Sequence, residues 1–197
     1  LIVAALISNS PGLEITNVGM NPSRTGLLQV LKNMGADIEA RNQRLESGEP
    51  CADLIIKKSM LRGVELSGNI IPNIIDEIPI LSIAAAFAEG ETIIRDAEEL
   101  RVKESDRLKA VSDGFTRLGV AHKNFEDGMS IMGSPNALLI EQPISIESNE
   151  DHRIAMSFLI AGLKCSKPII VKDCKNIFTS FPNFIELISS IGYKLEK

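Results

Sequence analysis

Among 197 residues there is no Trp and one Tyr, so Ile, Leu and Ala must fill whatever interior the chain has. Cysteine is nearly as scarce: Cys51, Cys165 and Cys174 are odd in number and show no CxxC spacing. That fits the reduced thiols of an intracellular, cytoplasmic protein better than a disulfide framework or a zinc site. The two histidines, His122 and His152, stand in no HExxH motif. GxSxG is absent, and so is any Gly-rich loop of the P-loop or Rossmann kind. No uninterrupted apolar run reaches the roughly 18 residues that cross a membrane. Apolar Leu1–Ile7 follows no basic region, as a signal peptide would require. The formal net charge of −5 argues against nucleic acid as the main partner, although cations focused in one place can still hold anionic substrates. Opening on Leu inside an apolar helical pattern, the chain reads as a piece of a longer protein whose N-terminus is missing.

With 44% hydrophobic and 24% charged residues, the balance is that of a globular protein, and residues 1–197 suit one domain. Leu13–Val18, Thr92–Asp96 and Pro168–Lys172 are short and rich in β-branched residues, as strands are. Arg24–Met34, Lys103–Leu118 and Phe181–Ile191 carry apolar residues at helical spacing. Each is followed by a glycine able to take the left-handed C-cap conformation. Those glycines, Gly35, Gly119 and Gly192, lie 84 and 73 residues apart in NMGADIEA, RLGVAHKN and SIGYKLEK. An apolar helix and a strand precede each, namely LIVAALIS, ILSIAAAFAEG and RIAMSFLIAGL, and two strands follow. The unit is β-α-β-α-β-β, complete from about Val64 to Gly133, without its opening strand in the first copy and cut short in the third. A repeat of this length exceeds solenoid units of about 20–50 residues and implies one body with pseudo-threefold symmetry. Ile80–Ala88 and Ile154–Leu163 are apolar on nearly every face, which predicts buried helices with sheets outside them.

Three constellations can carry chemistry. In PNIIDEIP (72–79), Asp76 either caps the following helix or sits at a strand-to-helix handover, where α/β folds place ligands. In RVKESDR (101–107) five of seven residues are charged with a net of +1. This is either a solvated helix start or an anion site. Lys103 and Arg107, four apart, share a face if the helix opens here. Cations in a first turn oppose the helix dipole by about 0.3–1 kcal/mol each, and a bound anion would reverse that sign. Glu104 lies beside them. In EDHR (150–153), Asp151 is a plausible cap, and His152 and Arg153 again put a titratable group and a guanidinium at a helix start. A lone His is more often structural than catalytic. Basic residues at two helix starts and an acid at a third suggest one shared anionic site.

RVKESDR, DHRIAM (151–156), PNIIDEIP and TSFPNF (179–184), in this order and spacing, resemble the EPSP synthase family from end to end of the chain. The resemblance implies an enolpyruvyl transferase-like domain of three β-α-β-α-β-β units with buried helices, an inside-out α/β barrel. It also implies transfer of the enolpyruvyl group of phosphoenolpyruvate to the 5-hydroxyl of shikimate 3-phosphate, without a metal or organic cofactor. By the same resemblance Asp76 contacts the shikimate ring and accepts the hydroxyl proton, and Lys103 contacts shikimate 3-phosphate. Glu104 protonates phosphoenolpyruvate, Arg107 and Arg153 hold its anionic groups, and His152 has a lesser role. Some family members have a Lys where this chain has Thr179, and nearby Lys175 is out of register. Further substrate residues belong to an N-terminal part absent here, so the chain represents one wall of a cleft and alone should be inactive. A UDP-N-acetylglucosamine enolpyruvyl transferase or an RNA 3′-phosphate cyclase would share the architecture but not the RVKESDR and DHR pair. A non-catalytic binding module would not be expected to keep Asp76, Glu104, Arg107 and Arg153 together.

Overall fold

A computed structural model describes residues 1–8, 11–193 and 195. The elements follow in order as α1 (Ile2–Ile7), β1 (Leu13–Gly19), α2 (Gly26–Asn33), β2 (Asp37–Glu46) and β3 (Glu49–Lys57). The second unit is β4 (Glu65–Leu66), α3 (Ile71–Ile74), α4 (Ile78–Ala86), β5 (Gly90–Ile94), α5 (Arg107–Leu118), β6 (His122–Phe125) and β7 (Gly128–Gly133). The third has β8 (Ile144–Glu147), α6 (His152–Gly162), β9 (Ile169–Lys172), α7 (Ile177–Ser180) and α8 (Phe184–Ser190). The repeat read from the sequence is therefore present. The strand expected after Gly192 falls largely outside the described residues.

Among those residues the strands form three sheets, ordered β1-β3-β2, β4-β5-β7-β6 and β8-β9. The opening strand of a unit pairs parallel with the next, as Leu66 with Ile94 and Ile146 with Val171, while the hairpins are antiparallel. Helices α1, α4 and α6 touch one another and each lies against its own unit's strands. Val3–Ile7 of α1 are all buried, as are Leu81–Ala86 of α4 and Ile154, Ala155, Phe158, Ile160 and Ala161 of α6. The apolar helices thus form the interior, with the sheets outside.

Four boundaries differ from the sequence reading. Helix α5 starts at Arg107, not Lys103, because the Asp106 carboxylate accepts the Lys109 N–H at 2.9 Å and so caps the helix there. Helix α8 starts at Phe184 because Phe181 precedes Pro182, whose ring disfavours helical geometry in the residue before it; Phe181 is at φ −145°, ψ 76°. Thr25 (φ −100°, ψ 9°) separates a 3-10 turn, Pro22–Arg24, from α2. The fourth difference is length. Helical turns run end to end over Gly68–Ala86, 19 residues with a mean hydropathy of 1.3, long and apolar enough by composition to cross a membrane. With 56% of it buried and with Asp76 and Glu77 inside it, this is a core segment rather than the short run expected.

Helices α5 and α6 pack against each other, and Gly114 leaves room for the Phe158 ring, which an added Cβ would meet at 2.0 Å.

Candidate active site

The starts of α5 and α6 and the turn before α4 meet at one end of the buried helices. Asp151 is the N-cap of α6: its Oδ1 accepts the N–H of Arg153 at 2.9 Å and of Ile154 at 3.4 Å. Its Oδ2 accepts Nε of Arg107 at 2.8 Å and the Ser105 hydroxyl at 3.1 Å. The carboxylate is enclosed completely and the Arg107 side chain is 1% exposed. Arg107 spends its other nitrogens on carboxylates as well, Nη1 on Asp76 Oδ1 at 2.9 Å and Nη2 on Glu104 Oε2. Arg153 reaches the same acid from α6. Its Nη1 donates to the Asp76 carbonyl at 2.8 Å and to Glu77 Oε1 at 3.4 Å, and its Nη2 lies 3.6 Å from Asp76 Oδ2.

Asp76 is not the cap of α4. It occupies a 3-10 turn, Ile75–Glu77, makes no capping bond, and is separated from β4 by helical turns rather than standing at a strand-to-helix junction. Burial by itself raises its carboxyl pKa, but the charge of Arg153 and the hydrogen bond from Arg107 outweigh that and hold it below the usual carboxylate value. In Asp151 burial again raises the pKa, and the hydrogen bond and charge of Arg107, with the two backbone N–H groups, pull it below normal. Burial lowers the pKa of Arg107, yet Asp151 and the other acids raise it on balance. Asp76, Asp151 and Arg107 are therefore all charged at neutral pH.

Of the six residues expected together, Asp76, Glu104, Arg107 and Arg153 form one network of contacts. Lys103 precedes α5 in extended geometry and pairs with Glu99, so it does not share a helical face with Arg107; its charge is nonetheless felt by Asp76. Arg101 fixes this segment to the β6–β7 turn through the carbonyls of Glu126 (2.8 Å) and Phe125 (2.9 Å) and to Asp106 (3.1 Å). His152 is the first residue of α6, between Asp151 and Arg153. Thr179 turns its hydroxyl to the Asn176 carbonyl at 2.9 Å, and Lys175 is exposed in the turn after β9. A cavity of about 340 Å³ opens beside the cluster, lined by Asp76, Glu77 and Arg153 and by Met156, Phe181 and Phe184 among others. Sequence reasoning missed two things. Asp151 is the hub rather than only a cap, and four carboxylates (Asp76, Glu77, Glu104, Asp151) surround the two guanidiniums. A cap residue directly before His-Arg was the available signal for the first.

The family model of EPSP synthase (3-phosphoshikimate 1-carboxyvinyltransferase) matches residues 1–188. The chain belongs to the EPSP synthase family. The 3-phosphoshikimate 1-carboxyvinyltransferase of Magnetococcus marinus is 47% identical over 99% of this chain and 43% of its own length. That of Legionella pneumophila is 45% identical over 100% and 44%. The solved EPSP synthase of Acinetobacter baumannii superposes with a TM-score of 0.93 at 43% identity, covering 99% of this chain and 45% of that one. The enolpyruvyl transferase NikO of Streptomyces tendae, at 19% identity and a TM-score of 0.73 over 98% of this chain and 41% of its own, shares the fold. The chain thus spans less than half the length of the EPSP synthases it matches.

Proposed function

We propose that this chain is most of one wall of an EPSP synthase active site, and that the whole enzyme transfers the enolpyruvyl group of phosphoenolpyruvate to shikimate 3-phosphate with release of phosphate. The observation that carries this reading is the convergence of Arg107 and Arg153, from two helices, on Asp76, with Glu104 on the same guanidinium. Glu104 donates a proton to the methylene carbon of phosphoenolpyruvate, which makes the adjacent carbon electrophilic. Asp76 accepts the proton of the 5-hydroxyl as that oxygen adds. Phosphate then leaves the tetrahedral intermediate as Glu104 removes a proton from the methyl group. Such acid–base steps contribute about 10²–10⁴-fold each. Arg107 and Arg153 hold the anionic groups of phosphoenolpyruvate, Lys103 contacts the phosphate of shikimate 3-phosphate, and His152 borders the site. No metal or organic cofactor enters these steps. Free Cys51, Cys165 and Cys174 suit a cytoplasmic enzyme.

Carboxylates outnumber guanidiniums in the cluster, so most of the positive charge that gathers two anionic substrates belongs to the remainder of the enzyme. Positioning two reactants in a closed cleft is worth about 7–11 kcal/mol of barrier, and one wall forfeits it. Phosphate release from the two substrates should be undetectable with this chain alone and robust with a protein of its relatives' full length. Turnover by the chain alone would overturn the one-wall reading.

A further inference from the structure

We propose that Glu104 and Asp151 divide Arg107 between an exchangeable and a fixed partner, so that an anion entering the cleft takes Glu104's place on Nη2 while Asp151 keeps the guanidinium in register. This rests on the reading of the cluster as a substrate site and deepens it.

Arg107 is closed to any ligand as it stands. Each of its three nitrogens donates to a carboxylate, and the side chain is 1% exposed. With the guanidinium this enclosed, the most direct way in for an anion is to displace one of the three acids, and the three are unequal. Asp151 is enclosed and uses both oxygens, on Arg107, Ser105 and two backbone N–H groups of α6. Removing it would leave the Ser105 hydroxyl, the buried Nε of Arg107 and a helix start without their acceptor together. Asp76 is half-exposed but is also held by Arg153. Glu104 has a side chain 56% exposed, and its carboxylate's hydrogen bond among the described residues is to Arg107 alone. It also precedes the Asp106 cap, outside α5, so rotation of its side chain breaks no helical hydrogen bond. The Glu104 end of this pair is solvated, so releasing it costs less than breaking the enclosed pair with Asp151. An incoming phosphate or carboxylate offers Nη2 an equivalent charge-assisted bond. Displaced Glu104 remains beside the anion that replaced it, which is where a proton donor must stand.

Inorganic sulfate is the probe, titrated into a protein of the relatives' full length and into its Glu104→Ala and Asp151→Asn variants. Asn caps a helix about as well as Asp, so Asp151→Asn keeps the α6 start while removing the charge on Arg107. Glu104→Ala should bind sulfate about tenfold more tightly, since the internal competitor is gone, and Asp151→Asn about tenfold more weakly. Asp151→Asn should also raise KM for phosphoenolpyruvate more than it lowers kcat, and thermal unfolding checks that each variant is folded. Sulfate affinity unchanged or weakened in Glu104→Ala overturns the exchange, a result that stands even if Asp151→Asn does not fold. Unchanged affinity and KM in folded Asp151→Asn overturn the fixed half. Wild-type turnover in Glu104→Ala would instead remove Glu104 from proton transfer, a separate failure of the functional reading.

Discussion

Two arginine–aspartate networks in this chain use the same residue types to opposite ends. On the first sheet, Asp53 accepts the Asn17 N–H and the Asn42 side-chain amide, both at 2.8 Å, and Nη1 of Arg44 at 3.2 Å. Arg44 also donates to Asn17 Oδ1 at 3.0 Å and to the Asn42 carbonyl at 2.9 Å. Asn17 and Asn42 have φ of 57° and 48°, at the two places where the β1–β3 and β2–β3 registers shift. Asp53 thus ties two bulges with mostly neutral donors, while Arg44 also reaches outward, its Nε donating to Glu46 Oε1 at 2.8 Å. Around Arg107 the partners are nearly all charged, with carboxylates in excess and one of them half out in solvent. Both networks include an exposed acid; what separates them is that Arg44 is itself partly exposed, whereas Arg107 is enclosed among carboxylates in excess.

The largest way to break this comparison is Asp151→Ala. Asp76 and Glu104 would stay on Arg107, but its buried Nε and the α6 start would lose their acceptor, which approaches the cost of breaking a buried pair, about 3–5 kcal/mol, read as a lower denaturation midpoint. A loss within about 0.5 kcal/mol would mean that Asp151 does not hold Arg107. A smaller effect comes from pH. Asp76 and Asp151 bind protons more weakly folded than unfolded. Their contribution is therefore complete above the unfolded carboxylate value of about 3.9 and drains as pH falls through the lower folded values. Stability should drop below about pH 4, and less steeply in Asp151→Asn; equal slopes in both would contradict the assignment. The smallest effect is expected for Asp53→Asn, whose depressed carboxyl is held first by the Asn17 N–H and then by Asn42. Thermal unfolding should come slightly earlier with substrate KM unchanged, and a raised KM would show that the two networks are coupled.

Much of the fold was legible because its signals are local. Gly35, Gly119 and Gly192 take φ of 95°, 72° and 92°, as helix-ending glycines should. The buried helices announced themselves by having no polar face. Within the site, Asp76, Glu104, Arg107 and Arg153 could be named from charged residues at helix starts and from the family resemblance, and the structure brings them into contact. What the sequence hid depends on competition or on tertiary neighbours. Apolar spacing starts α5 at Lys103, and the Asp106 cap bond moves that start to Arg107. Asp151 becomes a hub through a tertiary neighbour, Arg107, 44 positions away on α5. The extended helical run before α4 was hidden because Asp76 reads as a cap or a strand-to-helix handover; Pro72 and Pro79 both occupy first-turn positions that a helix tolerates.

The distinction between the two networks is tested most directly by one assay of phosphate release, run on a full-length protein and its Glu104→Gln and Asp53→Asn variants alongside their unfolding midpoints. Glu104→Gln should lose about 10²–10⁴-fold in turnover with its midpoint unmoved, and Asp53→Asn should keep its turnover with a lowered midpoint. Wild-type turnover in Glu104→Gln would contradict the account.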